Sequence, residues 1–194
     1  PDVEVVGHIE NMARNEIPGK ARADRGKCPR EQPQRDELSE YARAHAKNRP
    51  IRILGSSLST DTIGLGTRRE TLRCEAIRRS AQLAYKQAGV SPKDIDLVEL
   101  HDAFSIVAAL SLEASGFVKD GQAVPFALEG NIGIGGKLPC STRGGLKARG
   151  HPVGASGVYQ VVEAVEQLRG QAGETQVKDC ELAMAQNVGG LASV

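Results

Sequence analysis

Gly144-Gly145-Leu146-Lys147-Ala148-Arg149-Gly150-His151-Pro152-Val153-Gly154-Ala155-Ser156-Gly157 holds a histidine between a glycine and a proline, just ahead of a helical pattern. The glycine lets the backbone approach a ligand closely, and the proline limits the freedom of the loop. From Ala155 to Arg169 the spacing predicts a helix that buries Val158, Val161, Val162, Val165 and Leu168. His151 is therefore held beside a helix N-terminus. That placement favours the neutral imidazole needed to take a proton from a thiol, and the free amides of the helix can face an anion.

Working outward, Ile95–Leu100 reads as a strand aimed at His101, within Glu99-Leu100-His101-Asp102-Ala103-Phe104. A polar pair leaving an apolar strand and entering an apolar helix, here Phe104 to Ser115, is well placed in a crevice. Either ring nitrogen of His101 can orient water or donate to a developing oxyanion; its structural alternative is a buried histidine bonded to Asp102. Ile51–Gly55 alternates as a strand, Arg68–Gly89 has helical spacing closed by a glycine, Ser91–Asp94 is a capped turn, and Leu182–Gln186 reads as a last strand. Gln122–Thr142 reads as loop. The glycines of Gly130–Gly136 lack the lysine-serine ending of a phosphate loop. The order implies an α/β fold with a mixed sheet in a sandwich arrangement.

Residues 1–36 are crowded with charge and read as a weakly structured arm; residues 37–194 form the domain, with a short helix over Glu37–Lys47. The chain of 194 residues suffices for one compact core. Lysine and arginine (25) barely exceed aspartate and glutamate (24), and aromatic residues are only 3%, which argues against nucleic acid as a partner. The four cysteines, Cys28, Cys74, Cys140 and Cys180, form no metal or dithiol spacing, so a reducing cytoplasmic setting fits, with no metal. No apolar run approaches membrane-spanning length. Pro1 in the place of a methionine suggests a processed or partial product.

HDAF at His101–Phe104, the GGLKARGHPVGASG segment and MAQNVGG at Met184–Gly190 together resemble the carboxy-terminal domain of thiolases, of the archaeal and sterol-carrier-protein type, over about residues 50–190. The resemblance implies half of the thiolase fold and a coenzyme A thioester as substrate, with no other cofactor. In that family a cysteine takes an acyl group from acyl-CoA, and the enolate of a second acyl-CoA attacks the thioester in a Claisen condensation; thiolysis is the reverse. It implies that His151 activates the cysteine, that His101 supports an oxyanion hole and that the amide of Gly189 helps build another. Ala103, Phe104, Gly145 and Gly154 are implied as substrate-contacting positions.

The departures are equally informative. The family's nucleophile lies in its amino-terminal half, and Cys28, in a charged aperiodic stretch, has no equivalent context. A second, acid/base cysteine sits in a C-x-G motif or within HDCF, where this chain has Asn187-Val188-Gly189 and Ala103. The first expectation is thus an acyltransferase half, active only when joined to an amino-terminal half or a partner subunit that supplies the cysteine, in a homo- or hetero-oligomer. A noncatalytic CoA-binding scaffold is the second. The third is a retro-aldolase with an OB-fold zinc partner, whose family members resemble this chain but place tyrosines where His101 and His151 stand.

Overall fold

The computed structural model describes residues 50–190, the backbone of 10–14, and singly Tyr41, Ala44, His45, Lys47 and Asn48. Four strands, β1 (Glu10–Arg14), β2 (Arg52–Ser57), β3 (Leu97–Glu99) and β4 (Leu182–Ala185), form a mixed sheet in the order β2-β1-β4-β3. β1 is antiparallel to both neighbours, and β3 runs parallel to β4. Among the described residues, five α-helices accompany them: α1 (Glu75–Ala88), α2 (Ser105–Ala114), α3 (Ala123–Leu128), α4 (Gly145–Arg149) and α5 (Ser156–Leu168).

Strand alternation sorts the core into two layers. Val98, Leu182 and Met184 pack with Ala81, Ala84 and Tyr85 of α1. Leu97 and Ala183, on the other face, pack with Ala164 and Leu168 of α5. α1 lies close to β2 because its inner face is small; a Cβ at Gly55 would come within 2.6 Å of the Ala84 carbonyl oxygen. The Asp96 carboxylate accepts the amides of Glu181 and Leu182, both at 2.9 Å, and so starts β4 beside β3. The free edge of β3 is flanked by Pro139–Ser141: Val98 N–H donates to Pro139 O at 3.0 Å and Ser141 N–H to Val98 O at 2.9 Å. The segment leading to His151 is thereby tied to the strand leading to His101.

Several elements differ from their sequence reading. β1 falls inside residues 1–36, read as a weakly structured arm; its five residues Glu-Asn-Met-Ala-Arg are too short and too polar to show a strand period, yet they pair on both sides. The rest of that arm and most of the Glu37–Lys47 helix lie outside the described residues. α1 begins at Glu75 rather than Arg68, because Cys74 before it takes a left-handed backbone with φ 47°. The stretch read as loop contains α3, whose Pro125 sits in the first turn, where a missing N–H removes no helical hydrogen bond. α5 reverses its expected burial. Of the residues expected inside, Leu168 alone is buried; Val158 and Val162 are 55% and 46% exposed, while Ser156, Gln160, Glu163 and Gln167 face inward.

Candidate active site

The two histidines meet. Their ring centroids are 4.8 Å apart with the planes at 88°, an edge-to-face contact. His101 is buried at the end of β3, whereas His151 is exposed on the turn between α4 and α5.

Each ring is held by a different polar partner. Nδ1 of His101 bonds Asn187 Oδ1. The amide N–H of Val188 also donates to that oxygen at 3.2 Å, which fixes the orientation of the Asn187 amide. His101 therefore donates from Nδ1, and in its neutral form presents a lone pair at Nε2. Burial lowers the pKa of His101 below its ordinary value, with the bond to Asn187 opposing and neighbouring His151 adding to the fall. Nδ1 of His151 lies 2.7 Å from Ser156 Oγ, which is 3.3 Å from the Pro152 carbonyl oxygen. A serine hydroxyl that donates to the carbonyl accepts from Nδ1–H, leaving Nε2 of His151 as the base.

The loop between them is clamped at its start. Asp102 does not bond His101, as the structural alternative supposed; its Oδ1 accepts the Leu146 amide at 2.7 Å. Gly145, at φ +62°, is required there, since a Cβ would lie 2.4 Å from the same carboxylate. Lys147 Nζ reaches Ser105 Oγ at the start of α2 at 2.5 Å.

The remaining expected positions are spread around this pair. Ala103 and Phe104 follow His101, with Phe104 69% exposed. Gly154 sits in the turn after His151, with open space where a side chain would project. Gly189 is half-buried, two residues beyond Asn187. Asn187 is a residue the sequence reading passed over except as the place of an absent cysteine. Its signal was a polar residue directly after the apolar strand end. Ser156, inside the quoted glycine-rich segment, was legible only as a small residue.

None of the described cysteines is poised as a nucleophile. Burial raises the thiol pKa of Cys74, Cys140 and Cys180, the last to about 12. Cys28 lies outside the described residues. Among the described residues, no group of three or more His, Cys, Asp or Glu side chains is placed to hold a metal ion, and no helix is long and apolar enough to cross a membrane.

Residues 57–194 match the family model described as thiolase C-terminal domain-like. The chain belongs to that family. It is 45% identical over 141 residues to the acetyl-CoA acetyltransferase of Methanothermobacter thermautotrophicus, covering 73% of this chain and 37% of that protein. Human sterol carrier protein 2 is 34% identical over 146 residues, covering 74% of this chain and 27% of its own length. Among solved structures, the Ltp2-ChsH2(DUF35) aldolase superposes with a TM-score of 0.64 at 29% identity, covering 71% of this chain and 36% of that one. The chain thus spans about a third of the length of these thiolase-like relatives. The mixed sheet with its flanking helices is the fold expected of such a domain.

Proposed function

We propose that this chain is the histidine-bearing half of an acyl-CoA C-acyltransferase, acting on a coenzyme A thioester without a further cofactor. The observation that carries the reading is the edge-to-face contact of His101 and His151, each with Nδ1 engaged and Nε2 free for the reacting groups. In this reading His151 takes the proton from a cysteine thiol supplied by another half or subunit and, once protonated at Nε2, donates to the thioester oxygen; His101 supports an oxyanion hole through a water held by its Nε2 lone pair, and the Gly189 amide helps build the other. Ala103, Phe104, Gly145 and Gly154 border the substrate. Asn187, which has no titratable proton, stands where a C-x-G cysteine would act, so proton transfer at the substrate α-carbon falls to the histidines.

A partner half is supported by the exposed apolar side chains of α5 (Val158, Tyr159, Val162) and of the start of α2 (Phe104, Ile106). Exposed apolar clusters on soluble proteins commonly mark interaction surfaces. The test is thiolysis of acetoacetyl-CoA by CoA, run on this chain assembled with the half or subunit that supplies the cysteine. His151→Ala is expected to lower kcat at least about 100-fold, the scale of general acid–base catalysis, and residues 1–194 alone to show no turnover. Unchanged kcat in His151→Ala would overturn the assignment.

A second reading, carbon–carbon cleavage with an OB-fold zinc-ribbon partner, draws on the similarity to the Ltp2-ChsH2(DUF35) aldolase. A paired histidine site in place of two tyrosines ranks it lower. Release of acetyl- or propionyl-CoA from a β-hydroxyacyl-CoA without added CoA would favour it.

A further inference from the structure

Behind the histidine pair lies a buried polar cluster that the acyl-transfer steps leave unused. Glu99, on β3 two residues before His101, is fully buried, and Glu163 of α5 is 8% exposed. Neither carboxyl oxygen of Glu99, nor Oε2 of Glu163, has a donor among the described residues. The two carboxyl groups face each other closely enough to share a hydrogen bond. The other oxygen of Glu163 lies 3.4 Å from Nε of Arg149, the last residue of α4, two before His151. The Arg149 guanidinium carbon in turn stands 5.4 Å over the Tyr159 ring, so both faces of α4's end are engaged by α5.

Charge counting decides the protonation. Two buried carboxylates against one guanidinium would leave an uncompensated negative charge, which is costly in a low dielectric. One shared proton makes the trio neutral and supplies the missing donor. Burial first, then Glu163, raises the Glu99 pKa to about 9, consistent with a neutral acid at physiological pH.

Resting on the acyltransferase reading for its functional meaning, we propose that Glu163 and Arg149 are positioning residues for His151, and that Glu99, as a neutral acid donating to Glu163, locks them to the strand that ends in His101. The loop bearing His151 is then fixed at both ends: by Asp102 on the Leu146 amide at its start, and by Glu163 on Arg149 at its close. The groups facing Glu99 are Glu163 from α5, Arg149 from α4, Asp102 beyond the strand end and the Cys140 thiol from the flanking segment. Burial raises the Cys140 thiol above its ordinary range, so as pH rises past neutrality Glu99 gains its charge before that thiol does. That second negative charge beside Glu163 releases the lock.

The experiment follows the imidazole rings directly, in the assembled protein with 15N- and 13C-labelled histidine in this chain, using cross-relaxation between the His101 and His151 rings and their nitrogen shifts from pH 7 to 10. The wild type is expected to show the ring-to-ring cross-peak at pH 7 and to lose it as pH passes about 9. Glu99→Gln keeps a donor but cannot ionise, and is expected to hold the cross-peak to pH 10. Glu163→Gln, shown to be folded by its urea melt, is expected to weaken it at least about threefold at pH 7 and to lower kcat for thiolysis about tenfold with KM unchanged. A folded Glu163→Gln with an undiminished cross-peak overturns the proposal, as do wild-type and Glu99→Gln profiles that superpose. Should Glu163→Gln not fold, the wild-type against Glu99→Gln comparison decides alone. If no form turns over acyl-CoA, the acyltransferase reading fails, and the ring measurements still decide the lock.

Discussion

Helices α1 and α5 lie on opposite faces of the same sheet and solve burial in opposite ways. α1 turns Ala76, Ile77, Ala81, Ala84 and Tyr85 inward and leaves Arg79, Gln82 and Lys86 to solvent, the arrangement expected of a surface helix. α5 turns Ser156, Gln160, Glu163 and Gln167 inward and leaves Val158, Tyr159 and Val162 outside. These inward residues recur at intervals of three and four, one stripe along the helix. Each has work to do: Ser156 on His151, Gln160 Nε2 on the Gln186 carbonyl at 3.0 Å, Glu163 on Arg149, and Gln167 on Thr142 at 2.8 Å. One helix holds the sheet by apolar packing. The other sets Ala164 and Leu168 on the sheet, holds loops by hydrogen bonds and an ion pair, and leaves Val158, Tyr159 and Val162 outward.

The largest stability effect should fall on the α1 side. Ile77→Ala removes a fully buried side chain and is expected to cost about 2–4 kcal/mol in urea unfolding. A loss below about 1 kcal/mol would mean that α1 does not anchor the core.

Next comes the acid buried against α5. Because the folded state raises the Glu99 pKa from 4.5 to about 9, the stability this group contributes is complete below pH 4.5 and lost as pH rises toward 9. Glu99→Gln should flatten that decline and stabilise the protein at pH 8 by about 1–3 kcal/mol. Urea melts at pH 5, 7 and 8 measure this, and parallel curves for the two proteins would break the assignment.

Tyr85→Phe tests the opposite face with a smaller change. Its hydroxyl donates to the Ser115 carbonyl at 2.9 Å in a buried setting, and its loss is expected to cost about 1 kcal/mol. The smallest stability effect is expected from Val158→Asp with Val162→Asp, within about 0.5 kcal/mol for the isolated chain. The same pair should reduce hydrophobic-dye binding and self-association in light scattering. If dye binding is unchanged, the outward face of α5 is not the adhesive one.

The asymmetry explains what could be read in advance. β3, β4, α1 and α2 were legible as elements from their apolar residues, although Leu83 of α1 and Ile106 of α2 lie outward, and the histidine pair was legible because HDAF and GHPVGASG frame each ring with unusual neighbours. α5 was legible as a helix and misread in its facing. Its valines form a stripe as regular as its polar one, and periodicity reports that a helix has two faces without saying which meets the sheet. Asn187 and Glu163 escaped for a related reason: their importance comes from partners 86 and 64 residues away, His101 and Glu99, and no local pattern encodes such pairings. The placement of β1 between β2 and β4 is likewise a long-range pairing.

The contact between Gly145 and Asp102 bears on how this site can change over generations of mutation. Any side chain at 145 meets both a left-handed backbone and the Asp102 carboxylate. Shortening Asp102 first would open the space but abandon the Leu146 amide that it caps, and the backbone strain would persist. Each single step is harmful and the double step is not fully repaired. A library randomised at 145 should therefore return glycine whether or not 102 is varied alongside, whereas Gly154, with open space around it, and the exposed Phe104 should accept a wide range of residues.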